Sequence, residues 1–242
     1  MAAAMGARAL ATSAAAHAFT LGRSDGGTVS RDEALAHAEA IVAATDLPVN
    51  GDFENGFGDD PDTCAETVRL AAEVGLAGIG IEDTSFADGW QPYPFDLAVE
   101  RIRAAAACAR TLQRDLVLTA RADGVMEGTY DIAEATARIT AFAEAGADCI
   151  YVPLPQTEAD LRRIVSATDA PVNVLASGPW AATSYAGFAA LGVARISVGA
   201  ALVRSGLRAV HDAMEAMLTN GDFASLSQAL PGDVLDRFLD PQ

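Results

Sequence analysis

Acidic side chains follow two apolar segments of this chain, and their spacing suits metal binding. Asp52 and Glu54 follow the first segment in "PVNGDFENGFGDD", and Glu82 and Asp83 end the second, "GIGIED". Carboxylates that face one another raise each other's pKa values unless a cation compensates them. Mg2+ suits such a set best, because it accepts one or two carboxylates and keeps water ligands. We therefore predict a magnesium site at Asp52, Glu54 and Glu82, with Mn2+ as a substitute ion.

Two further apolar segments end in polar side chains that suit substrate binding. "LTARAD" ends with Arg121 and Asp123, and "VNVLAS" contains Asn173 and Ser177. The chain carries 33 acidic and 16 basic residues, a formal net charge of -17, so an anionic substrate needs a local cation. A guanidinium can bind a carboxylate through two parallel hydrogen bonds. We predict that Arg121 is catalytic and binds the substrate carboxylate, and that Asn173 and Ser177 also bind substrate.

These polar residues also have a simpler interpretation. Acidic, serine and asparagine side chains are common as helix N-caps and as solvated residues of loops. For a single residue the two interpretations are evenly matched, whereas four strand ends that converge on one pocket favour a site.

Seven segments of the chain predict parallel β-strands. Each contains a short apolar run, and a helical pattern lies in each gap, at intervals of roughly 25 to 45 residues, the spacing of βα units. Ser30 and Glu33 predict a capping box at the start of one such helix. The segments lie at 4–13, 45–54, 73–83, 114–123, 144–153, 168–177 and 190–199.

Seven βα units predict an α/β fold of the (β/α)8 TIM-barrel type. A doubly wound sheet is disfavoured, because no Gly-x-Gly-x-x-Gly turn follows any of the strands. We expect one domain over residues 1–242, in which the first barrel strand is missing and would lie upstream of Met1. Either the start is misplaced, or the chain is truncated, or the barrel is incomplete. Active sites of such barrels lie at the carboxyl ends of the strands, where the polar residues above are placed.

The order of the motifs resembles the isocitrate lyase/phosphoenolpyruvate mutase superfamily from Gly6 to about Phe223. The resemblance is carried by "VNGDFENGFGDDP", "GIGIEDTS", "LTARAD", "EAGADCIYVP", "PVNVLASGP" and "ALGVARISVGAALVR". It implies a barrel whose last helix is swapped between subunits, Mg2+ at the strand ends, and 2-oxo or 2-hydroxy carboxylic acids as substrates.

The resemblance also implies roles for individual residues. Asp52 matches the direct metal ligand, whereas Glu54 and Glu82 match carboxylates that hold the metal through water. Glu54 stands where the family more often has aspartate. Asp25, in "LGRSDG", matches a further carboxylate of the metal shell.

Three other positions match substrate-binding positions of the family. Arg121 matches the arginine that binds the substrate carboxylate. Ser13 and Ala14, in "LATSAAA", match a loop after the second strand, where glycine is often found in place of Ala14.

The loop after Asp83 departs from the family pattern. Isocitrate and methylisocitrate lyases carry a Lys-Lys-Cys-Gly-His loop there, whereas this chain has "TSFADGWQPYPFDLAVERI", without Lys, Cys or His. The gating sequence of phosphonomutases is also not recognisable. Tyr93 carries the loop's only phenol, and we predict a catalytic role for it as proton donor. The alternative is that this aromatic and proline cluster packs the loop.

The resemblance predicts a Mg2+-dependent lyase. It would cleave a carbon-carbon bond of a 2-oxo or 2-hydroxy polycarboxylate of the oxaloacetate or methylisocitrate type, through a metal-stabilised enolate. One alternative is an enzyme that cleaves the carbon-phosphorus bond of a phosphonopyruvate-type substrate. The other is a catalytically inactive homologue that binds metabolites.

Charge and composition also predict partners and location. The net charge of -17 disfavours nucleic acid and anionic membrane surfaces, and no apolar run reaches the roughly 20 residues of a membrane span. Three cysteines without metal-ligand spacing favour a reducing, cytoplasmic location. The amphipathic region 201–242 fits the exchanged helical region, so we expect a homodimer or homotetramer formed by helix swapping.

Overall fold

The computed structural model describes residues 1–239, and seven strands of this part of the chain form a nearly closed parallel barrel. They pair in the order β1-β2-β3-β6-β7-β8-β9, and β4 and β5 form a separate antiparallel hairpin. The bounds are β1 (Leu10–Ala11), β2 (Val49–Asp52), β3 (Gly78–Glu82), β4 (Thr84–Ser85), β5 (Gln91–Pro92), β6 (Val117–Arg121), β7 (Cys149–Tyr151), β8 (Val172–Leu175) and β9 (Arg195–Ser197). All seven predicted strands and the barrel class are confirmed. The β4–β5 hairpin was not predicted.

Ten α-helices are present in the described residues, and those between β1 and β9 separate successive barrel strands. Ser30 and Glu33 form the predicted capping box, in which each side chain binds the backbone of the other residue. The helices are α1 (Ala14–Thr20), α2 (Arg31–Ala43), α3 (Pro61–Glu73), α4 (Phe95–Thr111), α5 (Gly124–Glu127), α6 (Ile132–Glu144), α7 (Glu158–Ser166), α8 (Tyr185–Ala190), α9 (Ala201–Asn220) and α10 (Gly232–Leu239).

The main hydrophobic core lies between the barrel strands and the helices that cover them. Ile79 and Ile81 of β3 are fully buried in this core, together with Leu118 of β6 and Phe142 of α6. Successive side chains of a strand point to opposite faces, so burying Ile79 and Ile81 outward turns Glu82 towards the barrel interior. The packing of the helices thereby directs a carboxylate into the barrel.

The last two helices, α9 and α10, are far more exposed than the helices that cover the barrel. Ala213 is the one residue of α9 that is buried, whereas Leu202 and Leu218 are 73% and 81% exposed. Residues 240–242, the end of the predicted exchange region, lie outside the described residues. In the described part of the chain, no helix is both long and apolar enough to cross a bilayer.

Candidate active site

The register of three neighbouring strands brings two acids and a guanidinium together. Asp52 of β2 pairs with Gly80 of β3, and Glu82 of β3 pairs with Arg121 of β6. The strands are parallel, so these residues stand at the same, carboxyl end of the barrel. This is the end at which TIM-type barrels bind their substrates.

Arg121 is the centre of the hydrogen bonds at this end. Its Nη1 donates to Oδ1 of Asp52 at 2.8 Å, while Nε and Nη2 donate to the two carboxylate oxygens of Asp123 at 3.2 and 2.7 Å. Oε2 of Glu82 is farther away, 3.6 Å from Nη2. A guanidinium has five N–H donors, so Nη1 and Nη2 each retain one for another acceptor.

Asp52 ties the end of β2 to the turn that follows β1. Its Oδ2 accepts a hydrogen bond from the backbone N–H of Ala14 at 2.9 Å, and its own N–H donates to Oγ1 of Thr12 at 2.8 Å. Ser13 is the N-cap of α1, where its Oγ accepts from the backbone of Ala16. The structure therefore places both predicted residues of this turn, Ser13 and Ala14, beside Asp52.

Glu54 lies in a tight turn after β2. Its φ of +46° is a left-handed conformation that is uncommon for a residue with a side chain. The side chain is buried, and Oε1 accepts a hydrogen bond from the backbone N–H of Gly27 at 3.0 Å. Burial raises the pKa of Glu54 to about 7. Partial desolvation and the Asp52 carboxylate raise the pKa of Asp25, which lies two residues before Gly27.

Glu82 and Asp123 are buried beside each other under Arg121. Glu82 is 4% exposed and Asp123 is fully buried. Burial and the adjacent Asp123 carboxyl raise the pKa of Glu82 well above its usual range, although Arg121 opposes the shift.

The chemistry of this donor set fits a hard divalent cation. Several carboxylates stand around the single guanidinium of Arg121, and oxygen ligands of this kind are those that Mg2+ takes. The predicted ligands are not gathered tightly: the one set of three His, Cys, Asp or Glu ligand atoms within 4.8 Å of one another in residues 1–239 lies on the exposed surface of α9.

The other predicted site residues, Tyr93, Asn173 and Ser177, are not among the hydrogen-bond partners of Arg121 in residues 1–239. The Tyr93 hydroxyl donates to Asp59 Oδ1 at 2.6 Å and accepts from Asn55 Nδ2 at 2.9 Å. Burial and the bond to Asp59 raise the pKa of Tyr93 to about 12. A phenol with this pKa is a weak proton donor at neutral pH, so its contacts favour the packing interpretation.

Asn173 is the second residue of β8 rather than a residue beyond its carboxyl end. Its Nδ2 donates to Oγ of Ser197 at 2.9 Å, and its Oδ1 accepts from Nε of Arg195 at 2.9 Å. Asn173 is 1% exposed, so it takes part in a hydrogen-bond network inside the barrel. Ser177 follows β8 and is half-buried. Their predicted roles in substrate binding stay predictions.

Two buried arginines fix the loops that carry the acids. Arg101 donates to the backbone carbonyls of Glu82 at 3.3 Å and Gly58 at 2.8 Å. Arg138 donates to Oδ2 of Asp83 and to the carbonyl of Tyr93, both at 3.0 Å. These contacts hold the loops after β2 and β3 in place from the buried side. Beside the loops a cleft of about 650 Å³ opens, and Glu54 lines it.

Three residues of the candidate site were not among the predicted site residues. Asp123 was recognised as a strand-end acid, and its position two residues after Arg121 was the available signal for an ion pair. Thr12 and the Gly27 N–H contact acids that are 40 and 27 residues away in sequence. A local sequence pattern does not predict contacts between residues so far apart in the chain.

The chain is similar in sequence to a family model and to a curated protein. Residues 1–218 match the sequence model of phosphoenolpyruvate phosphomutase. Over 226 residues the chain is 30% identical to an oxaloacetate decarboxylase from Paraburkholderia xenovorans, an alignment that spans 91% of this chain and 72% of that protein.

Two crystal structures share the fold. A candidate lyase/mutase from Burkholderia cenocepacia is 42% identical with a TM-score of 0.92, and the match covers 98% of this chain and 84% of that one. The other is 2,3-dimethylmalate lyase, a member of the PEP mutase/isocitrate lyase superfamily. It is 26% identical with a TM-score of 0.84, and the match covers 98% of this chain and 83% of that one.

Proposed function

Because the chain belongs to the phosphoenolpyruvate mutase/isocitrate lyase superfamily, we propose that it is a Mg2+-dependent carbon-carbon lyase of small 2-oxo or 2-hydroxy polycarboxylates. Oxaloacetate-type substrates are the preferred class. The observation that carries the proposal is the Arg121–Asp52 pair, surrounded by further acids at the carboxyl ends of β2, β3 and β6. The pair combines a carboxylate-binding group with a metal-binding group.

In this proposal Asp52 would hold the cation directly, and Glu54, Glu82 and Asp25 would hold it through water. Mn2+ would substitute for Mg2+, because the donors are all carboxylate oxygens. The raised pKa values of Glu54 and Asp25 support this assignment, because a dication would supply the charge that their surroundings lack.

Arg121 would bind the substrate through the two N–H groups that Asp52 and Asp123 leave free. The bidentate bond to Asp123 fixes the plane of the guanidinium, so the free N–H groups have a defined direction. Ser13 and Ala14 border the same space through their contacts beside Asp52. The chain thus orients a carboxylate group of the substrate.

The reaction would break the bond between C3 and the carboxylate carbon C4 of an oxaloacetate-type substrate. CO2 leaves, and the electron pair of the broken bond becomes the enolate of pyruvate, which takes a proton at C3 from water. When bound, Mg2+ would supply Lewis-acid stabilisation of the negative charge that develops on the oxygen at C2. This reaction does not require the cysteine acid of the Lys-Lys-Cys-Gly-His loop. The name of the Paraburkholderia relative supports the substrate class.

We also propose that the protein functions as a homodimer or homotetramer in which α9 packs on another subunit. Four apolar residues, Val203, Leu207, Val210 and Met214, form a stripe along α9 at helical spacing and are between 37% and 54% exposed. A stripe of this length on an otherwise acidic protein favours burial against a second copy. The three free thiols favour a reducing, cytoplasmic location.

A substrate panel tests the proposed reaction. Purified protein with Mg2+ is incubated separately with oxaloacetate, 2-methylisocitrate and phosphonopyruvate, and pyruvate and inorganic phosphate are measured. Pyruvate from oxaloacetate or 2-methylisocitrate supports the carbon-carbon lyase. Phosphate from phosphonopyruvate alone would select the carbon-phosphorus alternative. Thermal stabilisation by these acids without any product would select the inactive binding homologue.

A further inference from the structure

The loop between β4 and β5 contacts a glycine pair that lies beside the candidate site. Phe86 and Trp90 pack edge to face, with ring centroids 4.9 Å apart and planes at 88°. The hairpin pairing of Ser85 with Gln91 holds the two ends of the loop together. Both rings are half-buried, and they pack against Gly26 and Gly27.

The contact with the glycine pair leaves no room for a Cβ atom unless a ring or the backbone shifts. A Cβ atom at Gly26 would lie 2.4 Å from Cζ2 of Trp90, and one at Gly27 would lie 2.9 Å from Cβ of Phe86. Both glycines also have left-handed φ values, +86° and +69°. The glycine backbone therefore lies directly against the rings, and the two loops cannot move independently without separating this contact.

The same glycine pair connects to two of the proposed metal-binding acids. Asp25 immediately precedes Gly26, and the Gly27 N–H donates to Oε1 of Glu54 at 3.0 Å. Other hydrogen bonds of this segment are local, such as Thr28 Oγ1 to the carbonyl of Ser24 at 2.5 Å. Contacts with the rings thus add a second tertiary restraint beside the hydrogen bond of Gly27 to Glu54.

We propose that Phe86 and Trp90 are positioning residues. By packing on Gly26 and Gly27, they fix the position of Asp25 and of the Gly27 N–H relative to Glu54. The β4–β5 hairpin thereby sets the geometry of the cation site. In this inference its loop does not supply a side chain that reacts with the substrate. This inference rests on the proposed function, because it assigns the rings a role at the proposed cation site.

Hydrogen-deuterium exchange tests the packing without any metal or substrate. Phe86→Ala and Trp90→Ala should accelerate exchange of the Gly27 amide by about threefold to tenfold, the range expected for loss of an aromatic contact. Tyr185→Ala, which removes an 82% exposed ring of α8, is the control and should leave this amide unchanged. Unchanged exchange in both loop variants would overturn the inference.

Mn2+ affinity, measured by electron paramagnetic resonance, tests the effect on the site. Gly26→Ala adds a methyl group against Trp90, whereas Gly22→Ala has a similar left-handed φ of +68° and meets no atom within 4 Å. We expect Phe86→Ala, Trp90→Ala and Gly26→Ala to weaken Mn2+ binding about tenfold, as loss of outer-shell support does. The Mn2+ affinity of Gly22→Ala should stay within about twofold of that of the unaltered protein, because this variant changes the backbone preference but does not disturb the contact with the rings.

The two measurements separate this inference from the proposed function. Faster exchange with unchanged Mn2+ affinity would overturn the inference, because the rings would then hold the segment without positioning the site. Equal weakening by Gly22→Ala and Gly26→Ala would also overturn it, because backbone strain alone would explain the loss. Failure of the unaltered protein to bind Mn2+ would contradict the proposed function, and the exchange result would still show whether the rings restrain the segment.

Discussion

Arg121 Nη1 lies 2.8 Å from Asp52 Oδ1 and links the carboxyl ends of β6 and β2, which are separated by β3 in the barrel. The pair is only partly exposed, with 15% of the Arg121 side chain and 22% of the Asp52 side chain accessible. A cation and an acid that share a hydrogen bond at the mouth of the barrel can each also contact a ligand. The proposed function depends on this pair.

Arg121→Lys should lower kcat/KM for an oxaloacetate-type substrate by roughly 100-fold. Lysine keeps the positive charge but loses the two parallel bonds to Asp123, and each charge-assisted hydrogen bond contributes about 1.5–3 kcal/mol. Arg110→Lys, at an exposed arginine that pairs with Asp148, is the matched control and should leave the kinetics unchanged. Unaltered kcat/KM in Arg121→Lys would show that the fixed guanidinium plane is not used.

Tyr93→Phe distinguishes the two interpretations of Tyr93. Its hydroxyl already bonds Asp59 and Asn55, so we expect a loss of about 1 kcal/mol in the free energy of unfolding and a turnover rate within about threefold of the unaltered protein. Denaturant unfolding and steady-state kinetics measure the two quantities. A turnover rate that falls by roughly two orders of magnitude or more at unchanged stability would instead support the catalytic role as proton donor.

The metal-free protein should become less stable as pH rises from 5 to 8. Burial raises the folded-state pKa of Glu54 to about 7, above its usual value, so this group contributes stability below its unfolded pKa that is lost as pH rises through about 7. Thermal melts in chelator should show the decline, and Glu54→Gln should flatten it, because the amide does not titrate. Saturating Mg2+ should reduce the slope, because a bound cation favours ionised Glu54. An identical slope in Glu54→Gln would contradict this assignment.

The apolar stripe of α9 should determine the oligomeric state. Introducing charge with Leu207→Glu and Met214→Glu together should convert the expected dimer or tetramer to monomer in light scattering, because two desolvated carboxylates would oppose association. Ser205→Glu adds a single carboxylate on the opposite side of α9 and should leave the assembly intact. A monomeric unaltered protein would contradict the swapped-helix proposal.

The sequence predicted the barrel well because the signals that define it are local. Apolar runs such as "GIGIE" and the capping box of Ser30 and Glu33 depend on residues close together in the chain, and both appear in the structure. The β4–β5 hairpin was missed, because each of its strands has two residues and "TSFADGWQP" shows no alternation of apolar and polar residues. Strands this short are specified by their surroundings.

Prediction of the site depended on where each side chain lies along its strand. Asp52, Glu82 and Arg121 are the last residues of their strands, so a strand-end pattern was sufficient to bring them together. Asn173 also follows an apolar residue, but β8 continues to Leu175 and leaves Asn173 inside the barrel. The contact of Gly27 with Glu54 depends on two loops meeting in space, for which periodicity gives no signal.

Oxaloacetate decarboxylation by Asp52→Asn tests the proposed function most directly. Pyruvate release is measured at saturating Mg2+ and in excess chelator, for the unaltered protein, Asp52→Asn and Asp46→Asn, an exposed acid that precedes β2 at its other end. Protein-free Mg2+ solutions give the background rate. We predict that chelator or Asp52→Asn reduces the protein-dependent rate by roughly 100-fold or more, as expected when several kcal/mol of Lewis-acid stabilisation are lost, and that Asp46→Asn retains it. Protein-dependent pyruvate release that persists in both chelator and Asp52→Asn would contradict it.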